Sequence, residues 1–188
     1  MGIPVSSTGV MTVDEFYAFT DTRPDHEKWE LIGGKPVLNA SPTGIHAMIV
    51  GNVITALSNR ERQINAGWAV LASTGVRVSD KDRPEPDVLV VSGDDPLWSR
   101  DRNDLIVAFE VLSPTTKERD LGWKREAYTG LASLTHYVLI AQDTVNITVF
   151  SRDDGFRKRT FRSFGDVIEF RSLGVSLPVA EVYRRTGV

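Results

Sequence analysis

The chain has 188 residues, of which 41% are hydrophobic and 25% are charged, and its formal net charge is −3. These values are ordinary for one soluble globular domain and argue against a protein that coats nucleic acid through bulk positive charge. The lack of cysteine excludes disulfides, thiolate metal sites and cysteine nucleophiles, and only three histidines argue against a histidine-rich zinc site. Any metal is therefore expected to be a hard cation held by oxygen atoms.

The first third of the chain predicts two helices around a β-hairpin. A short helix is predicted at Thr12–Phe19, with Thr12 as its N-cap. Strands are predicted at Trp29–Ile32 and Pro36–Asn39, joined by a Gly33-Gly34 turn. Apolar residues then recur at three- and four-residue spacing from Ile45 to Ile64, which predicts a longer helix.

The remaining pattern is mostly β, with one helix at 116–131. The predicted strands are Trp68–Val78 (bent at Gly75), Asp87–Val91, Leu105–Leu112, His136–Ile140, Asn146–Ser151 and a β pattern over Arg157–Phe170. The strand–helix–strand unit from Leu105 to Ile140 should be a right-handed parallel crossover.

This order predicts an α/β fold, bordering on α+β, with a mixed central sheet flanked by helices and an N-terminal hairpin. We expect a flexible N-terminus at 1–11 and a single domain at 12–188. No apolar run approaches the roughly 20 residues of a membrane helix, and the N-terminus lacks a secretory signal pattern. A cytoplasmic location without membrane contact is the resulting expectation.

Two carboxylates carry most of the functional information. Glu110 lies inside an apolar strand, where an ionised side chain needs a cation, a lysine or a proton to compensate it. Asp87 opens another apolar strand after Pro86. If the strands are neighbours, both carboxylates can converge at one end of the sheet and share a divalent cation. Alternatively, Asp87 is a turn residue and Glu110 pairs with a core arginine.

The next helix can supply a positive charge to this site. Asp120, Lys124 and Tyr128 are spaced by four residues and so share one helix face. A lysine beside a metal-bound water can orient or deprotonate that water and stabilise charge on a phosphate. The alternative is that Asp120 and Lys124 form an exposed helix pair of little energetic value.

Several segments together resemble the bacterial putative restriction endonuclease family of the PD-(D/E)XK superfamily. The segments are Glu85–Val91, Phe109–Thr116, Asp120–Tyr128, His136–Ile140, Trp29–Gly34 and Ser41–His46. The resemblance covers about residues 12–183. It implies a central mixed sheet, a divalent metal (Mg²⁺ or Mn²⁺), phosphodiester hydrolysis and commonly a homodimer.

The resemblance also assigns roles to individual residues. Asp87 matches the Asp of the PD half and Glu110 matches the acidic residue of the (D/E)XK half, so both become predicted metal ligands and catalytic residues. Leu112 stands where the motif has its lysine. The resemblance places that lysine on the following helix, where Lys124 matches, and Lys117 is the competing candidate.

Two further residues have both a functional and a structural interpretation. Glu30, on the hairpin, is either an additional metal ligand or outer-shell base, or an edge-strand acid beside Trp29. His46 either hydrogen-bonds a carboxylate or phosphate, or packs at the start of a helix. Asp120 and Tyr128 complete the secondary candidates.

The compact basic run at Arg157–Arg159 is a candidate nucleic-acid contact, since Arg157 and Arg159 would share one face of a strand. Arg100, Arg102 and Lys117 are further candidates for contact with phosphates.

The favoured function is that of a metal-dependent DNA endonuclease. One alternative is a non-catalytic binding or assembly protein that retains the nuclease fold. Another is a hydrolase of a different phosphodiester or of a nucleotide.

Overall fold

The computed structural model describes residues 9–113 and 117–188. The helices are α1 (Val13–Thr20), α2 (Gly44–Ile64), α3 (Lys117–Arg119), α4 (Arg125–Thr129) and α5 (Val179–Val182), and a π-helical segment, Asp120–Lys124, joins α3 to α4. The strands are β1 (Lys28–Ile32), β2 (Lys35–Asn39), β3 (Ala69–Ala72), β4 (Gly75–Val76), β5 (Val88–Val91), β6 (Asp101–Arg102), β7 (Leu105–Leu112), β8 (His136–Ala141), β9 (Ile147–Ser151), β10 (Lys158–Phe161), β11 (Val167–Phe170) and β12 (Val175–Pro178). We call the continuous stretch 117–129 the site helix.

A six-stranded sheet in the order β10-β9-β8-β7-β5-β3 forms the centre of the molecule. Strands β7 and β8 run parallel, and every other neighbouring pair in this sheet is antiparallel. The predicted mixed sheet, and the parallel pairing across the predicted crossover, are thus confirmed. The strand predicted at Asn146–Ser151 is the internal strand β9, and β10 and β3 are the edges of the sheet.

Both faces of the sheet are covered, which explains why its central strands are apolar throughout. Strand β7 alternates between the faces. Val107, Phe109 and Val111 pack in the core beneath α2, the β11–β12 hairpin and α5. Ala108 packs in a second core with Tyr128 of the site helix. Residue Glu110 has the same parity as Ala108 and therefore points to the site-helix face.

The N-terminal hairpin forms as predicted, with Gly33 and Gly34 at its turn, both at positive φ. Hydrogen bonds fasten it to the loop before β5. The Leu31 and Arg83 backbones exchange hydrogen bonds of 3.2 and 2.8 Å, and the Gly33 N–H donates to Asp82 Oδ1 at 2.6 Å. The hairpin is thereby held in place beside the sheet, and β1 carries Glu30 inward.

The segment predicted as one strand at Trp68–Val78 divides into two. Strand β3 joins the central sheet, whereas β4 pairs in parallel with β6. The chain changes direction at Ser73, whose φ of 47° lies in the left-handed region. The pattern of hydrophobic residues does not indicate such a turn, because the segments before and after it are both apolar.

No helix among the described residues is long and apolar enough to cross a membrane. Of the predicted flexible terminus, residues 1–8 lie outside the described part of the chain. The Met11 N–H donates to the Gly34 carbonyl at 2.8 Å, and the Met11 side chain is buried.

Candidate active site

Asp87 and Glu110 are brought together by the pairing of β5 with β7. The register sets Val88 opposite Phe109 in an antiparallel ladder, so the residue before Val88 lies beside the residue after Phe109. The Val111 N–H donates to Asp87 Oδ2 at 2.8 Å, which fixes the Asp87 carboxylate against the end of β7. The predicted convergence of the two carboxylates is therefore present in the fold.

Lys124 lies at the centre of a buried charge network. Its Nζ is 2.8 Å from Glu110 Oε1, 2.8 Å from Glu30 Oε1 and 3.5 Å from Asp120 Oδ1. Lys124 is 2% exposed and Asp120 is 1% exposed. An exposed helix pair is thus the wrong interpretation of these two residues, and the cation that compensates Glu110 is a lysine rather than a core arginine.

The site helix turns three predicted side chains inward. The Tyr128 hydroxyl donates to Glu110 Oε1 at 3.4 Å, next to the Lys124 contact. The π-helical segment widens the helix by one residue per turn between Asp120 and Lys124. Such wide turns occur frequently at functional sites. The side chain of Lys117, the competing lysine, lies outside the described part of the chain.

Glu30 reaches the same network from the hairpin. It is fully buried, and its Oε2 lies 3.1 Å from Arg119 Nη2, while its Oε1 accepts the Glu85 N–H at 2.8 Å. Glu30 therefore lies on a strand of the two-stranded hairpin, but as a buried member of the charge network. Arg119 also donates to Asn39 Oδ1 at 2.8 Å, which ties β2 to the site helix.

His46 contacts Asp87 from the first turn of α2. Its Nε2 lies 3.2 Å from Asp87 Oδ2, and Thr43 caps the helix by accepting the His46 N–H at 3.3 Å. Of the two interpretations given to this histidine, the structure favours the hydrogen bond to a carboxylate.

Burial and crowding shift the ionisation of the network. Burial raises the pKa of Glu110 well above its ordinary value, and although Lys124 opposes this shift, the nearby carboxylates of Asp120, Asp87 and Glu30 add to it. Burial alone would raise the pKa of Glu30, but Lys124 and Arg119 outweigh it and lower that pKa. Burial alone would lower the pKa of Lys124, yet the surrounding carboxylates raise it, so Lys124 stays protonated near neutral pH.

A cavity of about 280 Å³ opens onto these groups. Its lining is drawn from the hairpin, the start of α2, the ends of β3, β5 and β7, and the site helix. The lining residues are Lys28, Asn39, Ala40, Ser41, Pro42, Thr43, His46, Ser73, Glu85, Asp87, Glu110, Val111, Ser113, Arg119, Lys124 and Gln142.

The donor set fits a hard divalent cation of the magnesium type. Asp87 Oδ2 and Glu110 Oε1 take the contacts described above, and the second oxygen of each carboxylate is the candidate metal ligand. No group of three or more histidine or acidic side chains among the described residues is arranged to hold a metal. Two carboxylates complemented by water and phosphate oxygens are, however, how Mg²⁺ usually binds.

The arginine candidates lie elsewhere. Arg157 and Arg159 are exposed at β10, and neither lines the cavity. Arg102 is fully buried, where it forms an ion pair with Asp104 at 2.7 Å, so it is unavailable to a phosphate. Arg119 and Lys28 line the cavity but were not singled out in the sequence. Lys28 directly precedes Trp29 and Glu30, so its position at the start of the hairpin could have suggested that it lies near the site.

Comparison with known proteins identifies relatives of this chain. The model of the Uma2 family, described as "Putative restriction endonuclease", matches residues 13–180. An uncharacterized Synechocystis protein, slr1290, is 34% identical over 76 residues, which span 40% of this chain and 40% of that protein. The crystal structure of a putative nuclease of DUF820 from Anabaena variabilis superposes with a TM-score of 0.73, covering 92% of this chain and 97% of that one at 16% identity. At that identity the likeness establishes the fold.

Proposed function

Because the chain belongs to the Uma2 family of putative restriction endonucleases, we propose that it hydrolyses phosphodiester bonds of nucleic acid, as a magnesium- or manganese-dependent DNA endonuclease. One observation carries the proposal. Two carboxylates from neighbouring strands, Asp87 and Glu110, meet at a cavity beside a buried, protonated lysine. The carboxylates can hold a cation, and Lys124 is itself positively charged. Both positive charges would stabilise a phosphate that gains negative charge as it reacts.

Asp87 and Glu110 are the residues that would hold the metal. When bound, such a cation supplies Lewis acidity and an activated water. The Asp87 carboxylate is oriented from two sides, by the Val111 N–H and by His46. Partners of this kind fix the direction in which a ligand oxygen points.

Lys124 acts in this proposal through its positive charge rather than as a base. A lysine whose pKa is raised by three carboxylates does not give up its proton near pH 7. Its ammonium can hydrogen-bond the attacking water or a phosphate oxygen at the cavity floor. Glu30 orients Lys124 by a 2.8 Å contact, and Arg119, which lines the cavity, can donate to a second phosphate oxygen.

A cleavage assay tests the proposal directly. Supercoiled plasmid, single-stranded DNA, RNA and a small phosphodiester are incubated with the protein and Mg²⁺ or Mn²⁺. We expect cleavage by wild type and a loss of rate of about 100-fold or more in Asp87→Asn and Glu110→Gln, the scale on which one group that stabilises transition-state charge acts. Asp153→Asn, which changes an exposed acid that does not line the cavity, is the matched control. Full metal-dependent cleavage by both site variants would refute the assignment, and cleavage of the small ester alone would favour the alternative hydrolase.

One observation supports a second candidate, a binding or assembly protein with the nuclease fold. Lys124 already forms an ion pair with Glu110, so this carboxylate has a cation partner without a metal. Titration with Mn²⁺ followed by thermal melting separates the two. A ligand present at 100 times its Kd stabilises by about 2.7 kcal/mol, and a non-catalytic protein would show no shift that depends on Asp87 or Glu110.

The remaining properties follow as parts of the same proposal. The unit is a single domain at 12–188 that works in the cytoplasm as a homodimer, with the open edge at β10 as its pairing surface. Exposed Arg157 and Arg159 at that edge would then contact nucleic acid beside the interface. Mass in solution, compared between wild type and a Thr160→Pro variant of β10, tests this arrangement.

A further inference from the structure

A second cavity, of about 530 Å³, adjoins the one at the carboxylates. We call it the hairpin cavity, because it lies where α1, the segment before β1 and β1 itself meet the loop that carries Arg100. Lys28, Ser73 and Glu85 line both cavities and so form the boundary between them. A flexible polymer bound at the carboxylates can therefore continue into the hairpin cavity.

The walls of the hairpin cavity combine aromatic rings with guanidinium groups. Trp29 is half-buried, and its indole is fixed by a 2.8 Å hydrogen bond to Glu27 and by edge-to-face packing on Phe19. Arg100 is half-exposed and lies 4.0 Å above the centre of the Tyr17 ring. Aromatic rings and arginine planes are the surfaces on which unstacked bases bind.

The charges of the hairpin cavity are suited to one phosphate at its boundary. Arg83 and Arg100 are neutralised by Asp101 and Asp21. Exposed Lys28 forms no ion pair among the described residues, and its Nζ donates to Ser73 Oγ at 2.7 Å. Its charge also acts on the carboxylate of Glu85, which lines both cavities. Asp25 also lines the cavity and offsets some of this charge. Recognition therefore depends on stacking inside the cavity and on Lys28 at its mouth.

From these observations we infer that the hairpin cavity binds a single unstacked nucleotide next to the reacting phosphate, so that the substrate presents a single-stranded flank. Trp29 and Arg100 contact the base, and Lys28 contacts the connecting phosphate. The inference rests on the proposed nuclease function and adds the strand state of its substrate. Rings and guanidinium planes bind bases through their free faces, which an unstacked base presents and the stacked bases of an intact duplex do not.

Binding of a fluorescent thymidine hexanucleotide tests the inference without relying on cleavage. Anisotropy is measured in the Glu110→Gln background, in EDTA and again with Mg²⁺. Trp29→Ala should weaken binding at least fivefold, since stacking on an aromatic ring contributes about 1–3 kcal/mol per base. Lys28→Ala should lower the slope of log K against log salt by about 0.7, the value for one single-strand phosphate contact. Both effects should be absent for a hairpin duplex without overhangs.

Two matched controls guard against general effects. Arg62→Ala removes an exposed cation, and Phe164→Ala removes a half-exposed ring, in both cases outside the two cavities. Because Trp29 also packs on Phe19, a folding defect in Trp29→Ala would appear as a lower melting temperature. In that case the binding of Lys28→Ala, which changes an exposed residue, tests the inference.

Failure of the inference is distinguishable from failure of the proposed function. If the hexanucleotide binds equally to the Trp29 and Lys28 variants, or the duplex binds more tightly, the inference is overturned while the nuclease proposal stands. If no nucleic acid binds or is cleaved, both are overturned.

Discussion

Replacing Lys124 by methionine should destabilise the protein by about 3–5 kcal/mol. The substitution keeps an unbranched side chain that is one atom shorter and removes its charge. Glu110, Glu30 and Asp120 would lose a cation that lies 2.8, 2.8 and 3.5 Å from them. All three carboxylates are buried, and removing one partner of a buried ion pair typically costs this much, because an uncompensated charge remains inside.

The loss should depend on pH in a defined direction. A carboxyl whose folded-state pKa is raised stabilises the protein below its unfolded pKa, about 4.5 for Glu110, and loses that contribution as the pH rises towards its folded pKa. Lys124 opposes the rise in the Glu110 pKa, so its removal raises that pKa further. The difference between Lys124→Met and wild type should therefore be small near pH 4.5 and should widen as the pH rises.

Urea unfolding at pH 5 and pH 7.5 measures both effects. For a chain of this size, 3–5 kcal/mol corresponds to a fall in Tm of roughly 6–20 °C. Lys158→Met, which changes an exposed lysine on β10, is the matched control and should stay within about 0.5 kcal/mol of wild type. Mg²⁺ should restore part of the loss, since a cation can replace the missing ammonium. A loss below about 1 kcal/mol at pH 7.5 would refute the reasoning that Lys124 compensates these carboxylates.

Three further predictions concern other parts of the molecule. His46→Ala should weaken Mn²⁺ binding by about 10–100-fold in calorimetry, as expected for a partner that orients a metal ligand. The control His26→Ala, at an exposed histidine, should leave the affinity unchanged. Equal affinities of the two variants would argue against a role for His46. Asp104→Asn should lower the free energy of unfolding by about 3 kcal/mol, because Arg102 stays buried without its charge partner. Burial alone would raise the pKa of Asp104, but Arg102 and nearby N–H groups outweigh it and lower that pKa. The stability advantage of wild type should therefore disappear as the pH falls through the lowered pKa, and an advantage that persists there would contradict the assignment. Gly34→Ala should destabilise the protein more than Gly33→Ala does. Both glycines have positive φ, but only at Gly34 would an added Cβ meet Val10 Cβ, at 2.8 Å. Chemical denaturation compares the free energies of unfolding of the two variants, and equal losses would show that the contact relaxes freely.

The sequence predicted the parts of the site that depend on buried strands. A charged residue in an apolar strand, such as Glu110, is conspicuous because burial without a partner is costly. The same reasoning anticipated that Asp87 and Glu110 would converge and that Lys124 would lie near them. Strand adjacency was a condition of that reasoning, and the antiparallel pairing of β5 with β7 meets it.

Contacts between distant segments were not predictable in the same way. Nothing around Glu30 indicates that it is buried, because its burial depends on how the hairpin docks against the loop at Arg83. Arg119 went unnoticed because the three-residue α3 and the π-helical segment depart from the regular spacing by which helix faces are read. The burial of Arg102 depends on its ion pair with Asp104, two residues further along the chain, and polar residues in a predicted loop give no sign of it.

The position of β7 has a consequence for how the protein is made. Glu110 lies on a strand whose two neighbours, β5 and β8, stand before and after it in the chain. A nascent chain that has emerged only as far as the site helix already contains Asp87, Glu110 and Lys124, yet β7 would expose one unpaired edge until His136–Ala141 follows. Unpaired strand edges are the sites at which folding intermediates aggregate. The interval between synthesis of the site helix and synthesis of β8 is therefore a stage at which the unpaired edge of β7 is open to pairing with another chain.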